Sequence, residues 1–365
     1  MSKWILVSGG AGFIGTNLCK KLLNKGKKVL CVDNFSTSNR ANLHQFFGNP
    51  DFKLLEGDIT LDLDELGIKR YELECIYNLA CPASPPQYQR LSLETLAVNS
   101  MGMENLLKLA ASRGIKILQT STSEVYGEPE VSPQSENYRG NVNCFGPRSC
   151  YDEGKRFAEA LCFEYKRVKG VDVRLVRIFN TYGPWLNPTD GRVVSNFMIQ
   201  AKTGLPITLY GDGQQSRSFC FVDDTVDGII ALMEAQKNDL DAVPIYNIGN
   251  PNEITVTELA TTIIGVCESR SELAYEPLPT DDPTQRCPDI HKALRDLNWS
   301  GPKVSLKEGL RRTSDHFNEV LKCENYNAPV RLYTTMYHGR RIIIPPATEV
   351  TTQIDQPLRP HRMNQ

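Results

Sequence analysis

The sequence has no long apolar run. Its densest stretches, such as Trp4–Val7 and Ile342–Ile344, fall far short of the roughly 20 residues a membrane-spanning helix needs. It has no Cys-x-x-Cys pair, and its 11 cysteines are an odd number, so neither a zinc ribbon nor a disulfide framework is expected. No metal site is read from it. Neither charge is in excess: 41 Lys and Arg stand against 43 Asp and Glu, a net −2, which argues against nucleic acid as a partner. Repeats and low-complexity tracts are absent. Met1-Ser2-Lys3 enters an apolar strand at once, without the h-region and cleavage site of an export signal. With thiols read as reduced core residues, the expectation is a cytoplasmic protein.

What is present suits a folded chain of two or three domains: 365 residues, 40% hydrophobic and 23% charged. Short strand-like runs recur at Trp4–Ser8, Lys28–Asp33, Phe52–Glu56, Cys75–Leu79, Lys116–Thr120 and Val171–Phe179. Between several of them lie amphipathic stretches, notably Phe13–Leu23, Leu91–Ala111 and Glu153–Val168. That alternation predicts an α/β fold, a doubly wound parallel sheet covered by helices. Past Pro184, Gly and Pro become denser and the helices shorter, which predicts a smaller lobe and a ligand cleft beside the carboxyl ends of the strands.

Gly9-Gly10-Ala11-Gly12-Phe13-Ile14-Gly15 joins the first strand to the first helix. Glycines allow a tight turn and a close backbone approach to a pyrophosphate, which the helix N-terminus attracts. Asp33 closes the second strand 18 residues after Gly15. In this context the turn reads as a dinucleotide site. Asp33 would accept from the adenosine ribose and repel a 2′-phosphate, so NAD is expected rather than NADP. Asn34, Asp58 and Ile59 fall at the ends of the next two strands. Asp58 reads as a partner for the adenine amino group or as a solvated loop acid.

Tyr151 and Lys155 are four residues apart in a helix-like stretch, hence on one face. A free phenol is only about 0.1% ionised at pH 7. To serve as a base it needs a shift of roughly 3 units, which a neighbouring ammonium can supply. Alone the pair would be an exposed helix face. It acquires meaning from the glycine turn and from Gln119–Gly127, a strand end carrying Thr122, Ser123 and Glu124.

These features together resemble the extended short-chain dehydrogenase/reductase superfamily and, within it, the UDP-glucuronate decarboxylases. Carrying the resemblance are Ala80–Pro86, Thr120–Gly127, Gly146–Arg156, Ile178–Pro184, Asp190–Phe197, and Asp281-Asp282-Pro283 with Arg286. It runs from about residue 3 to about 320. It implies a Rossmann-type sheet with a smaller α/β substrate-binding lobe, NAD as cofactor, a UDP-sugar as substrate and a homodimer. Thr122, Tyr151 and Lys155 are implied to oxidise C4, and Glu124 and Arg286 to act in decarboxylation and reprotonation. Ser123, Asn180, Arg192 and Arg217 are implied to meet the UDP-sugar. Tyr88 and Arg90 border the same region. Ser123 replaces the Asp of related 4,6-dehydratases, and 4-epimerases usually lack an acid at Glu124. Those two activities, release of the 4-keto pentose, and a silent NAD-binding scaffold are the alternatives.

The division expected is 1–183, with a return of chain near 219–248, for NAD; 184–320 for the UDP-sugar; and a tail, 321–365. The tail holds six basic and three acidic residues, leaving 1–320 with 35 and 40. An acidic body gives an anionic ligand no overall attraction, so local arginines and the glycine turn must hold it. The likeness stops in the tail, whose packing, assembly role or disorder stays open. Trp185, Cys144 and Arg139 depart from the family pattern.

Overall fold

The computed structural model describes residues 3–237, 240, 244–277 and 285–322, together with the backbone of 333–337 and 340–344. Two compact units divide the chain, Met1–Glu319 and Val320–Gln365.

The first unit is organised by a parallel sheet of seven strands. Its strands are β1 (Trp4–Ser8), β2 (Lys28–Asp33), β3 (Phe52–Glu56), β4 (Leu73–Asn78), β5 (Lys116–Thr122), β6 (Val173–Ile178) and β11 (Ile245–Ile248), in the order β11-β6-β5-β4-β1-β2-β3. The chain steps outward from β1 to β3, then returns to β4. That reversal opens a crevice at the carboxyl ends of β1 and β4.

Side-chain alternation along the strands feeds two cores. On one face Ile5 and Val7 pack with Leu18 and Leu22 of α1 (Phe13–Asn24) and with Val226 and Ile229 of α7 (Val222–Glu234). On the other, Leu6 and Leu30 pack with Leu106 and Leu107 of α4 (Met103–Arg113) and with Ala158 and Cys162 of α5 (Ser149–Lys169).

Several elements differ from the sequence reading: β4 and β6 are shifted by one or two residues at each end from Cys75–Leu79 and Val171–Phe179, and α5 starts at Ser149 rather than Glu153. β5 runs two residues further than expected, to Thr122, because it keeps its pairing with β6 as far as Thr122↔Ile178. The stretch 91–111 is not one helix. After α2 (Pro85–Arg90) it is made of α3 (Ser92–Ala97), a wider π-helical turn at Val98–Gly102, then α4. Gly102 has Ile59 against it, where a Cβ would lie 3.0 Å from the side chain.

The later part of the unit adds α6 (Val193–Thr203), the parallel pair β8 (Ile207–Tyr210) and β13 (Leu273–Glu276), and α8 (Val256–Val266). Three short strands, β12 (Glu253–Thr255), β9 (Ser216–Ser218) and β14 (Gln285–Arg286), form a second small sheet in that order. β7 (Thr181–Tyr182) and β10 (Cys220–Phe221) form a short parallel pair, and α9 (His291–Asp296) and α10 (Leu306–Lys322) complete the helices. Phe197, Leu209, Leu259 and Leu310 from this part belong to the same core as Ile5 and Val7. Among the described residues of the second unit, β15 (Tyr333–Tyr337) pairs antiparallel with β16 (Arg340–Ile344). Among the described residues no helix is long and apolar enough to cross a membrane.

Candidate active site

The site draws on β1, β2 and β5 of the seven-stranded sheet and on β9 and β14 of the small one. β1 runs into Gly9, whose backbone is left-handed (φ +72°) and whose N–H donates to Val32 at 2.8 Å. A Cβ there would lie 2.7 Å from the backbone that leaves β4. A Cβ on Gly15 would lie 2.1 Å from the Gly9 carbonyl oxygen, so glycine is what allows α1 to start against the turn. Gly12 differs: a Cβ would meet only the Gly9 oxygen, at 3.3 Å. Gly12 is the N-cap of α1 and brings no side-chain cap, so the first-turn amides of Phe13 and Ile14 are not occupied by one. An uncapped helix N-terminus behind a bare glycine fits the pyrophosphate of NAD.

Asp33 is buried and ties this turn to the next strand. Its Oδ2 accepts from the Ala11 amide at 2.9 Å; its Oδ1 accepts from Phe35 N at 2.9 Å and Ser38 Oγ at 2.7 Å. A carboxylate has about four acceptor positions, which leaves room for one ribose hydroxyl. Asn34 donates to Asp58 Oδ2 at 2.8 Å, while Thr60 holds Asp58 Oδ1 at 2.7 Å. Ile59 is a core residue, so only its backbone is available to a ligand. Arg90 is exposed and donates to Gln87 at 2.9 Å.

Thr122 ends β5 and caps the following short turn, accepting from Glu124 N at 3.2 Å. Tyr151, in the first turn of α5, is buried and stacks on Tyr88 with ring centres 4.9 Å apart. Burial, then the Cys81 thiol, push the Tyr151 phenol above its ordinary value, and a hydrogen bond with Thr122 pulls the other way. Lys155 Nζ donates to the Thr120 carbonyl at 3.0 Å and lies 5.9 Å from the Tyr151 ring centre. The ammonium is a neighbour of the phenol, and in this state it is spent on the backbone. Burial therefore decides the resting state of Tyr151, which is the neutral phenol.

A charged cluster adjoins this trio. Glu124 Oε1 accepts from Arg286 Nη1 at 2.8 Å, and Glu124 Oε2 pairs with Arg148 Nη2. Burial pushes the Glu124 carboxyl up, but Arg286, Arg148 and Arg217 outweigh it and hold it below the usual range. Arg286 is fixed further by Ser123 Oγ at 3.2 Å and the Gly127 carbonyl at 2.9 Å. Its strand is held in place by Gln134, which bonds both the N–H and the carbonyl of Cys287, at 2.9 and 2.8 Å. Arg217 is the strand partner of Arg286. Arg192 pairs with Asp190 and acts on Tyr151 through its charge. Asn180, half-buried after β6, is joined to this cluster by no hydrogen bond among the described residues. Asp281, Asp282 and Pro283 lie outside the described residues.

Two members were not singled out from sequence. Arg148 stands at the N-cap of α5, where a cation meets the positive end of the helix dipole. The Glu124 carboxylate opposite offsets that unfavourable position. Asp152 is the second. It is buried, its Oδ1 has no hydrogen-bond partner among the described residues, and burial followed by Glu124 pushes its carboxyl up to about 7. Of the departures, Trp185 has a left-handed backbone (φ +65°) and packs between Lys20 of α1 and His316 of α10. Cys144 and Arg139 are exposed in the loop before α5.

Comparison with known proteins agrees with this geometry. Residues 5–249 match the NAD dependent epimerase/dehydratase family. UDP-glucuronic acid decarboxylase 1 of Arabidopsis thaliana is 48% identical over 318 residues, 87% of this chain and 70% of that protein. UDP-glucuronic acid decarboxylase 1 of Danio rerio is 45% identical over 325 residues, 89% of this chain and 75% of that protein. Among solved structures, UDP-glucuronic acid 4-epimerase from Bacillus cereus, in complex with UDP-glucuronic acid and NAD, superposes with a TM-score of 0.77. It is 27% identical and covers 87% of this chain and 99% of its own. The chain belongs to the NAD dependent epimerase/dehydratase family, in the branch that holds the UDP-glucuronic acid decarboxylases.

Proposed function

We propose that this chain is an NAD-dependent decarboxylase that converts UDP-glucuronate to UDP-xylose and carbon dioxide. The observation that carries the reading is the Glu124 carboxylate, held by Arg286 and Arg148 beside the Thr122–Tyr151 pair. NAD, when bound, supplies the acceptor for the C4 hydride and the donor that restores it.

The protein's own groups handle protons and charge. Tyr151 gives up its own proton to solvent to become the base; as the phenolate, with the Thr122 hydroxyl on it and Lys155 as the neighbouring cation, it takes the C4 hydroxyl proton and returns to the phenol. With C4 at the ketone level, the carboxylate on C5 is β to a carbonyl. Its loss as carbon dioxide sends the electron pair into the C4 oxygen. The Tyr151 and Thr122 hydroxyls donate to that enolate oxygen, worth several kcal/mol when preorganised in a site shielded from water. Arg286, held by Ser123 and Gly127, keeps the Glu124 carboxylate next to C5, where it orients the water that supplies the proton C5 takes up. The sugar loses carbon dioxide, gains one proton at C5, and is neither oxidised nor reduced overall. Arg192, Arg217 and Asn180 serve the UDP moiety, since an arginine fork matches a diphosphate.

In this reading residues 1–183 with 219–248 serve NAD, and 184–320 serve the UDP-sugar. Leu93, Leu96, Met101, Phe157 and Val168 leave apolar surface exposed on α3, the turn after it and α5. They support a homodimer; Leu93→Asp with Phe157→Asp should give a monomer by light scattering. Seven buried free cysteines among those described support a reducing compartment, the cytoplasm, which cell fractionation tests.

The test of function is incubation of NAD-loaded protein with UDP-glucuronate, with products resolved by mass spectrometry. UDP-xylose and carbon dioxide support the proposal. A UDP-hexuronate epimer as sole product overturns it, and the 4-keto pentose as main product limits it to the first two stages.

A further inference from the structure

A row of buried polar side chains behind the site takes no part in the chemistry proposed above. Ser121, one residue before Thr122 in β5, donates to Glu159 of α5 at 2.6 Å. Glu159 pairs through both oxygens with Arg177 of β6, at 2.9 and 2.6 Å. Arg177 donates to the Tyr126 hydroxyl at 3.0 Å, and that hydroxyl donates to Asn247 Oδ1 of β11 at 2.8 Å. Asn247 Nδ2 in turn donates to the Gln134 carbonyl at 2.9 Å and to the Asp289 carbonyl at 3.1 Å. From Ser121 to Gln134 every member is buried.

Each link fixes the next. A guanidinium only donates, so Tyr126 accepts from Arg177 and turns its own O–H to Asn247. Burial pushes the Tyr126 phenol up to about 12, which keeps that proton in place. Asn247 must then show its oxygen to Tyr126 and its amide to the two carbonyls. The row ends on Gln134, which has no exposed surface and whose four polar groups are all bonded. Its N–H donates to the Cys287 carbonyl at 2.8 Å and its Oε1 accepts from the Cys287 N–H at 2.9 Å. Nε2 donates to the Val131 carbonyl at 2.7 Å, and the Gln134 carbonyl also accepts from Asp289 N–H at 2.9 Å. Gln134 thus grips the chain directly after Arg286, where β14 has only two residues to set its register.

Resting on the decarboxylase reading, we propose that Gln134 is a positioning residue for the protonation of C5. Buried as it is, it touches neither sugar nor cofactor. By holding Cys287 it fixes where Arg286 projects, and so where Arg286 holds Glu124. The row back to Ser121 ties that placement to the end of β5, which carries Thr122. The groups that act at C4 and those that act at C5 are thereby set on one satisfied, rigid polar frame. A displacement of about 1 Å at a reacting group can cost on the order of 100-fold in rate.

The test follows one turnover of UDP-glucuronate on NAD-loaded full-length protein, reading NADH by absorbance and carbon dioxide and UDP-xylose by mass spectrometry. Gln134→Met fills the space and makes neither side-chain bond. NADH and carbon dioxide should appear within about threefold of the wild-type rates, and UDP-xylose about 10- to 100-fold more slowly, so that NADH accumulates. Gln134→Glu is the rescue: a protonated carboxyl accepts from Cys287 and donates to Val131, and an ionised one cannot donate. Burial favours the protonated form, so UDP-xylose formation should approach wild type at about pH 6 and fall away at about pH 8. Glu136, whose carboxyl burial also raises, and Asp289 are the neighbouring acids. Both are common to all three proteins, so each variant is read as a ratio to wild type at the same pH. If Gln134→Met does not fold, the two pH values on Gln134→Glu carry the comparison. Equal slowing of NADH, carbon dioxide and UDP-xylose, slowing of none, or a Gln134→Glu ratio that ignores pH overturns the inference and leaves the decarboxylase reading intact. Wild-type protein that releases no carbon dioxide from UDP-glucuronate overturns that reading and this inference with it.

Discussion

The two sides of the crevice are built in opposite ways. The cofactor side is made of backbone: Gly9 and Gly15 shape it because no side chain fits, Gly12 keeps the head of α1 bare, and Asp33 fastens it across 22 residues. The decarboxylation side is made of charge. It gathers the end of β5, the head of α5 and the two-residue strand β14, and the Arg286–Glu124 bond spans 162 residues. The backbone side fails by collision, the charged side by leaving an ion without its partner, and the two failures can be told apart.

Gly15→Ala should give the largest effect. Its Cβ would stand 2.1 Å from a backbone oxygen and 2.8 Å from the Gly10 Cα, and neither can step aside. We expect loss of measurable NAD binding by calorimetry and destabilisation of about 3 kcal/mol or more. Gly12→Ala sharpens the contrast. Its only near contact is at 3.3 Å, so its melting should match wild type while NAD affinity falls about tenfold.

Arg286→Ala tests the charged side. It leaves Glu124 buried without the largest of its compensating charges, which costs about 3–5 kcal/mol in urea melts. Arg286→Ala combined with Glu124→Gln should cost clearly less than the sum of the two. Additive losses would mean that the pair does not act as a unit.

Asp152→Asn acts with the opposite sign. The carboxyl is raised from 3.8 to about 7 by burial and Glu124, against Arg148 and Arg286, with Glu153 adding slightly. Between those values the native state holds a proton that the unfolded state has lost. Stability therefore falls as pH rises from about 4 to 7, by up to about 4 kcal/mol. Asparagine removes that slope, so the variant should gain stability over wild type at pH 8 and not at pH 4. The smallest effect belongs to Tyr88→Phe. The Tyr88 hydroxyl is buried without a partner among the described residues, so its removal should be neutral or stabilising by at most ~1 kcal/mol.

The same division explains what could be read from sequence. The glycine turn, Asp33 and the Tyr151/Lys155 pair are local patterns, and α1, β1, β2 and β3 fall where the periodicity predicted, within one residue. The pairing of Glu124 with Arg286 has no local signature, since β14 has two residues and its register comes from β9. Only the family resemblance pointed to it. The wider turn at Val98–Gly102 packs its Gly102 against Ile59, a contact distant in sequence. Arg148 was not singled out, because the periodicity started that helix at Glu153 and the structure starts it at Ser149. The unpaired oxygen of Asp152 was not legible either, because its isolation depends on what the tertiary packing leaves around it.

One measurement bears most directly on the central claim: turnover of UDP-glucuronate labelled with carbon-13 at C6, in heavy water, followed by NMR. The account predicts that the label leaves as carbon dioxide, that the product is UDP-xylose with one deuterium at C5, and that NAD is unchanged at the end. Retention of the label in a six-carbon sugar would contradict it.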